Sequence, residues 1–394
     1  MASSRLPSAR APGEAQGGHV RTVLHIAQSS EGGVASFVAG LSAGQCARGD
    51  HVVVACAPDS RLSQAAAESG AETVAWRTTA APGPGVPREV AAVHRIVVSV
   101  GPDLVHLHSS KAGLAGRLAL RGSLPTVFQP HAWSFEATSG ALHWASVEWE
   151  RMGSRWTHQL VCVSEGEREA GVAAGVRARY SVVPNGVDLD HFAAAGVSAQ
   201  ARARSRLGID PSTPLVVCVG RLCRQKGQDV LLVAWSRVTD RVPGALLVLV
   251  GEGPDHASLE ARAPSTVRFT GDVADPLDWY LAADLMVLPS RWEGMALAPL
   301  EAMACSCPVV VTDVPGAAES LPAQQRSDAL VPPENPGALA DSMSRLLTDR
   351  ADCHRRGELA HDHVCRHHSV RRVVASMSHV YDRAWAAWAA REGG

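Results

Sequence analysis

A chain of 394 residues, 46% hydrophobic and 19% charged, is long enough for two or three domains with sizeable cores, and its composition is that of an ordinary globular protein. A formal net charge of -2 gives no basic excess, so nothing global points to nucleic acid. No stretch approaches the ~18 apolar residues of a membrane span, and the nine cysteines lie scattered through apolar runs without a C-x-x-C pair, which reads as reduced core thiols.

Residues 1–20 are rich in Ala, Ser, Pro and Gly and lack an apolar core, so a disordered tail is expected and not a signal peptide. Strands follow as short apolar runs at Thr22 to Ala27, His51 to Cys56, Ala71 to Trp76, Asp103 to Leu107, Leu124 to Gln129, Gln159 to Val163 and Tyr180 to Val183. Helical stretches such as Arg88 to Val100 separate them. Strands alternating with helices imply right-handed crossovers and a parallel sheet covered on both faces.

The segment Pro184 to Phe192 breaks the alternation, and Ala194 to Arg206 reads as a connecting helix. A second series starts at Leu215 to Val219. It continues through Ala245 to Val250, Val267 to Phe269, Ala283 to Leu288, Pro308 to Thr312 and Ala329 to Val331. Two further helices close the chain, with Ser369 as the expected cap between them. The reading is α/β throughout: two facing doubly wound, Rossmann-like domains at residues 21–190 and 191–370, and a terminal helix at 371–394. Ligands of such sheets bind at the carboxyl ends of the strands, so the cleft between the domains is the expected site.

The richest stretch is Arg291 to Cys305, RWEGMALAPLEAMAC, after the strand ending at Leu288. Proline is tolerated in the first turn of a helix, so Pro299 predicts a helix starting near Met295 with Gly294 as cap. Its free N–H groups near Met295, Ala296 and Leu297 would form an anion site. Glu293 and Glu301 bracket it, ~12 Å apart if the segment is helical. That separation suits two ends of a long ligand, not a glycosidase pair at roughly 5–9.5 Å.

Gly220 to Gly227 places Arg221, Arg224 and Lys226 between two glycines after another strand, where a cation reaches a phosphate. A G-E-G-P turn follows at 251–254. In the first domain, Gly32 and Gly33 follow the first strand, and His131 and Trp133 follow the fifth. His106 and His108 flank the end of the fourth strand; His108 is read as facing the cleft and His106 as packed. Trp133 is weighed evenly between an acceptor wall and packing; Trp144, Trp149 and Trp156 are read as packing. Asp188 and Asp190 form a D-x-D read as a turn. His354, His361, Cys365 and His368 share one helical face, but a single face wraps an ion poorly, so no metal is expected there.

These motifs resemble the retaining glycosyltransferases of family 4, with the GT-B fold. The carriers are E-G-M-A-L-A-P-L-E-A-M-A at 293–304, G-R-L-C-R-Q-K-G at 220–227, G-E-G-P at 251–254, V-P-N-G-V-D at 183–188 and E-G-G-V at 31–34. The resemblance implies a nucleoside-diphosphate sugar as donor and a hydroxyl acceptor: a glycan, a lipid-linked sugar or a metabolite. Arg221 and Lys226 would stabilise the departing diphosphate, helped by Gly294 to Leu297. Glu301 would bind the ribose and Glu293 the donor sugar. His131 would approach that sugar, Gly32 and Gly33 would admit the phosphate, and Gly251 would join the donor pocket. Weaker acceptor contacts fall to Trp133 and His108. Front-face substitution needs no enzyme nucleophile and no metal or other cofactor, because the leaving phosphate accepts the proton. Met295 stands where the family usually has Phe. The expected location is cytoplasmic, or at the inner face of the plasma membrane through a lipid-linked acceptor. An epimerase of the same fold and a non-catalytic nucleotide-sugar-binding protein are the alternatives.

Overall fold

The computed structural model describes residues 20–29, 31–79, 83–193 and 196–392. The tail expected over 1–20 lies, apart from Val20, outside the described residues. The chain forms two compact units. It passes from the first to the second between Pro184 and Asn185 and returns between Ser369 and Val370.

The first unit holds a seven-stranded parallel sheet. Its strands are β1 (Thr22–Ala27), β2 (His51–Cys56), β3 (Glu72–Ala75), β4 (Leu104–His108), β5 (Thr126–Gln129), β6 (Gln159–Cys162) and β7 (Tyr180–Val182). Their order is β3-β2-β1-β4-β5-β6-β7. The apolar runs form strands because both faces are covered: Val23, Leu24, Val53, Val105, Leu107, Phe128 and Leu160 are all fully buried. The helix Val370–Glu392 packs on this unit. Its Tyr381 is buried and Arg383 donates to Ser181 Oγ at 3.0 Å, so the helix docks through one face.

The second unit holds six parallel strands: β8 (Leu215–Val219), β9 (Leu246–Val250), β10 (Val267–Phe269), β11 (Leu285–Leu288), β12 (Val309–Thr312) and β13 (Leu330–Val331). Their order is β10-β9-β8-β11-β12-β13. Residues 185–190, read with the first domain from sequence, cluster with this unit. The cause is local: Val187 bridges Ser369, and the Asn185 carbonyl lies 3.0 Å from His368 Nδ1.

All thirteen strands read from the sequence are present, shifted at most by two residues at an end. Strand order reverses between β1 and β4 in one sheet and between β8 and β11 in the other. Loops leaving β1, β8 and β11 therefore open at the switch points, where crossover helices diverge and leave room for a ligand. Those loops carry Gly32–Gly33, Arg221–Lys226 and Glu293–Leu297. No helix among the described residues is long and apolar enough to cross a membrane.

Candidate functional site

In the second unit the loops after β8 and β11 are bound to each other. Lys226 Nζ donates to Glu293 Oε1 at 2.5 Å, and Ser290 Oγ donates to the same oxygen at 2.7 Å. Thr312, at the end of β12, donates to the Ser290 carbonyl. A small concavity opens beside Ser290, Glu293, Ala296, Pro299 and Thr312. Arg291 staples the loops together. It makes two 2.8 Å bonds to the Asp229 carboxylate, donates to the Arg224 carbonyl at 2.7 Å and pairs with Glu334. Gly227 is the hinge of the Lys226 turn. Its φ is +68°, and a Cβ there would stand 2.1 Å from the Pro289 carbonyl oxygen. Arg221 is exposed, and among the described residues its guanidinium makes no ion pair.

The helix at this site is Leu297–Ala304, capped by Ala296 in extended conformation. It starts two residues later than the sequence reading, which put the start at Met295 and the cap at Gly294. Pro299 explains the shift. A helix from Met295 would need the N–H of residue 299 to satisfy the Met295 carbonyl, and proline has none. Asn185 Nδ2 donates to that carbonyl instead, at 2.7 Å. The helix-start N–H groups are accordingly those at Leu297 and Ala298, while Gly294, Met295 and Ala296 form an extended approach. The ~12 Å axial separation of Glu293 and Glu301 rested on a continuous helix. It does not apply, because Glu293 precedes the helix by four residues.

Glu301 lies within that helix and accepts from the Tyr280 hydroxyl at 2.8 Å. Removal from water pushes its carboxyl up to about 7; the Tyr280 bond opposes this and the Asp275 carboxylate adds to it. Its side chain is partly exposed, so a ligand can reach it. Gly251 makes a close backbone approach: a Cβ would stand 2.3 Å from the Gly220 carbonyl oxygen. Its glycine is explained by packing of the β9 loop on the β8 loop.

In the first unit Gly32 and Gly33 open the helix Gly32–Ala47, and Gly32 has φ +70° with open space around its Cβ position. His131 follows β5 with φ +58°, and Ala132 with +115°. Glu167, buried, holds this strained corner: Oε1 accepts from the Ala132 N–H at 2.6 Å and Oε2 from Val163 N–H at 2.7 Å. His131 Nε2 lies 3.1 Å from His108 Nδ1, and burial pulls the His131 imidazole down to about 3.

Two acceptor assignments are corrected here. His108 is fully buried, with Nε2 lying 3.0 Å from His25 Nδ1, and lines no surface. Trp133 is 1% exposed; it stacks on Phe135 and donates from Nε1 to the Glu167 carbonyl at 2.7 Å. Trp144, read as packing, is instead 64% exposed beside the exposed Leu142. Asp188 Oδ1 accepts from Asp190 and His191 N–H groups, which is the turn expected. The His/Cys face in the helix Arg350–His367 disperses: His361 contacts the Ala304 carbonyl and Cys365, His354 pairs with Glu358, and His368 turns to Asn185. Sequence reasoning missed Ser290, which acts on Glu293 three residues on, and Arg291, Asn185, Tyr280 and Gly316, each of which acts through a contact twenty or more residues away.

Residues 31–191 match the family described as Glycosyltransferase Family 4, and residues 213–349 the one described as Glycosyl transferases group 1. The chain is 29% identical over 245 residues to the UDP-Gal:alpha-D-GlcNAc-diphosphoundecaprenol alpha-1,3-galactosyltransferase of Escherichia coli, covering 58% of this chain and 62% of that protein. It is 36% identical over 193 residues to the GDP-mannose-dependent alpha-(1-6)-phosphatidylinositol monomannoside mannosyltransferase of Mycobacterium tuberculosis, covering 45% and 49%. The alignments thus span less than two thirds of these relatives. Among solved structures, Anabaena HepE in complex with UDP and glucose has a TM-score of 0.80 at 21% identity, covering 92% of this chain and 100% of that one. Sucrose-phosphate synthase of Thermosynechococcus elongatus has a TM-score of 0.78 at 22% identity, covering 93% and 100%. The fold class is that of the GT-B glycosyltransferases.

Proposed function

The chain belongs to the group 1 glycosyltransferases of family 4, and on that premise we propose that it moves a sugar from a nucleoside-diphosphate sugar to a hydroxyl acceptor with retention of configuration. The observation that carries this reading is the constellation of Lys226, Glu293, Ser290 and the Leu297 helix start at one sheet edge. A diphosphate here meets the Lys226 ammonium, the free Arg221 guanidinium and the helix N–H groups. All three gain strength as negative charge develops on the leaving group. Glu301 offers its carboxylate to the ribose hydroxyls, and Glu293 accepts from the sugar hydroxyls. Both carboxylates are thereby assigned to binding, and we give neither the role of nucleophile. Front-face departure of the diphosphate, with its oxygen taking the acceptor proton, is therefore the favoured route, and the cations make a divalent ion at the phosphates unnecessary.

In the first unit we assign His131 to the donor sugar and the Gly32–Gly33 helix start to the phosphate. The positive φ of Gly32 and the empty space at its Cβ position support a close backbone approach. The names of two relatives specify lipid-linked acceptors, so that class is the first to test. With such an acceptor the protein would work at the cytoplasmic face of a membrane.

The test is a panel of nucleoside-diphosphate sugars followed for nucleoside-diphosphate release with and without lipid-linked and soluble acceptors. The anomeric configuration of the product is then read by NMR. Acceptor-stimulated release with a retained anomer is expected. An inverted product would end the front-face reading, and an epimerised sugar formed without acceptor would end the transferase reading.

A further inference from the structure

One cluster in the first unit is not absorbed by the proposed reaction. His25 on β1 and His106 on β4 are register partners, and His108 lies two residues further along the same face. All three are fully buried. One ring nitrogen from each lies within 4.8 Å of the other two. We propose that His25, His106 and His108 form a binding site for a divalent transition-metal ion of the zinc type.

The hydrogen bonds around the cluster set which nitrogens face inward. Gln45 Nε2 donates to the Tyr381 hydroxyl at 3.1 Å, so Gln45 Oε1, 2.8 Å from His25 Nε2, accepts from that nitrogen. His25 therefore presents a bare Nδ1 to the cluster. His106 Nδ1 lies 2.9 Å from the Tyr381 hydroxyl, and His108 Nδ1 lies 3.1 Å from His131 Nε2. In the bound state each of these outer nitrogens carries the proton and donates it, which leaves three inward lone pairs. Metal-bound histidines likewise donate the second ring N–H to a fixed acceptor.

His106 Nε2 is buried and faces the likewise fully buried Gln129, the register partner of His108. Its Oε1 is available as a fourth, neutral ligand. Tetrahedral bonds of ~2.05 Å place nitrogens ~3.4 Å apart. The His25 Nδ1 to His108 Nε2 separation of 3.0 Å is close to that value. Imidazole ligands without carboxylate select zinc, copper or nickel over magnesium and calcium. The ion would lie on one face of the first unit's sheet, beneath Gln45 and Tyr381, and is distinct from any counter-ion of the diphosphate. Bound there, it would also fix the tautomer of His131, with Nε2 accepting from His108 and Nδ1 left to donate; that consequence alone rests on the proposed function.

The test uses the full chain, purified without metal-affinity resin, stripped with chelator and titrated with zinc against a chromophoric chelator. Elemental analysis and thermal unfolding follow, and cobalt substitution reports coordination by its visible absorption. One equivalent of zinc that raises Tm is expected. His106→Gln should weaken binding at least ~100-fold, and Gln45→Leu, which removes the bond to His25, by ~10- to 100-fold. Cys365→Ser should leave binding unchanged. If His106→Gln fails to fold, the zinc-dependent Tm shift of the unmodified chain and of Gln45→Leu carries the test. No stoichiometric zinc in the unmodified chain, or equal binding by His106→Gln, overturns the site whether or not glycosyl transfer is found.

Discussion

Lys226 Nζ stands 2.5 Å from Glu293 Oε1, so the cation assigned to the diphosphate and the carboxylate assigned to the sugar are ion-pair partners. The pair is shielded but not sealed, with side chains 19% and 11% exposed. Each group holds the other in place, and Ser290 fixes the shared oxygen. Lys226→Ala should lower kcat by roughly 10²- to 10³-fold, the usual cost of one preorganised donor to a developing anion. Stability should fall by about 1 kcal/mol or less, because partly exposed pairs contribute little. Nucleoside-diphosphate release measured beside a melting curve separates the two effects. An unchanged rate would remove Lys226 from the site.

Arg291 holds the frame in which that pair forms. Its guanidinium spans Asp229, Glu334 and the Arg224 carbonyl, and its own side chain is 14% exposed. Arg291→Ala is expected to cost about 1.5–3 kcal/mol, the range for hydrogen bonds to charged groups. It should also raise KM for the donor by freeing the Lys226 turn. In a double-mutant cycle with Asp229→Asn the two losses should be strongly non-additive. Additive losses would show that Arg291 acts elsewhere.

Glu301 makes nucleotide affinity depend on pH. Its carboxyl sits at about 7, raised first by burial. Ribose hydroxyls donate to the ionised form, so affinity for the free nucleoside diphosphate should rise as pH is taken from ~6 to ~8 and level off above. Stability should run the other way. A raised carboxyl pKa means that the folded chain binds more protons than the unfolded one above the ordinary glutamate value of 4.5. The Glu301 contribution is therefore complete below that value and lost as pH rises through 7. Glu301→Gln should flatten both profiles. Calorimetric titration at several pH values checks the first, and a persistent slope would assign it to another group.

The strands were legible because fully buried parallel strands are continuous apolar runs bounded by turn residues, and each run depends only on its own sequence. The Lys226 turn and the two glutamates were legible because their residue types are tied to strand ends. Contacts made across more than a hundred residues were not. Asn185 satisfies the Met295 carbonyl from 110 positions away, and nothing in either segment announces it. His25 reads as one more residue of an apolar strand until the sheet order sets β1 beside β4. The helix start was misplaced for a local reason that could have been found. The N–H that Pro299 lacks also leaves the Met295 carbonyl, four residues earlier, without a helical donor, which moves the start past Met295.

The tryptophans carry the same lesson, and a measurement separates them. Trp133 fills the core against Phe135 and a Gly171 with no room for a Cβ, whereas Trp144 is 64% exposed. Trp133→Ala should cost about 3–5 kcal/mol, as large aromatic cavities do. Trp144→Ala should stay within about 0.5 kcal/mol of the parent. Denaturant midpoints at constant m-value decide it. If Trp144→Ala instead raises KM for the acceptor with stability intact, the exposed ring is an acceptor contact, in the place where Trp133 was expected.

Gly316 ties the fold of the second unit to the donor site by backbone alone. It has φ +78°, and a Cβ there would stand 1.9 Å from the Gly294 carbonyl oxygen. A side chain is thus excluded both by conformation and by the loop it touches, and neither neighbour is a flexible group that can swing away. Gly316→Ala must push the Gly294–Ala296 approach off the sheet edge or break the turn at 316. A left-handed alanine costs roughly 1–2 kcal/mol before any clash is counted, so a total loss above about 2 kcal/mol is expected. The displaced loop carries Glu293, so donor affinity should fall together with stability. Gly208→Ala is the control: Gly208 has φ +64° but open space around it, so it should show the conformational cost without the loss of affinity. Equal effects of the two substitutions on nucleotide binding would show that the 294 loop moves freely and is not held by Gly316.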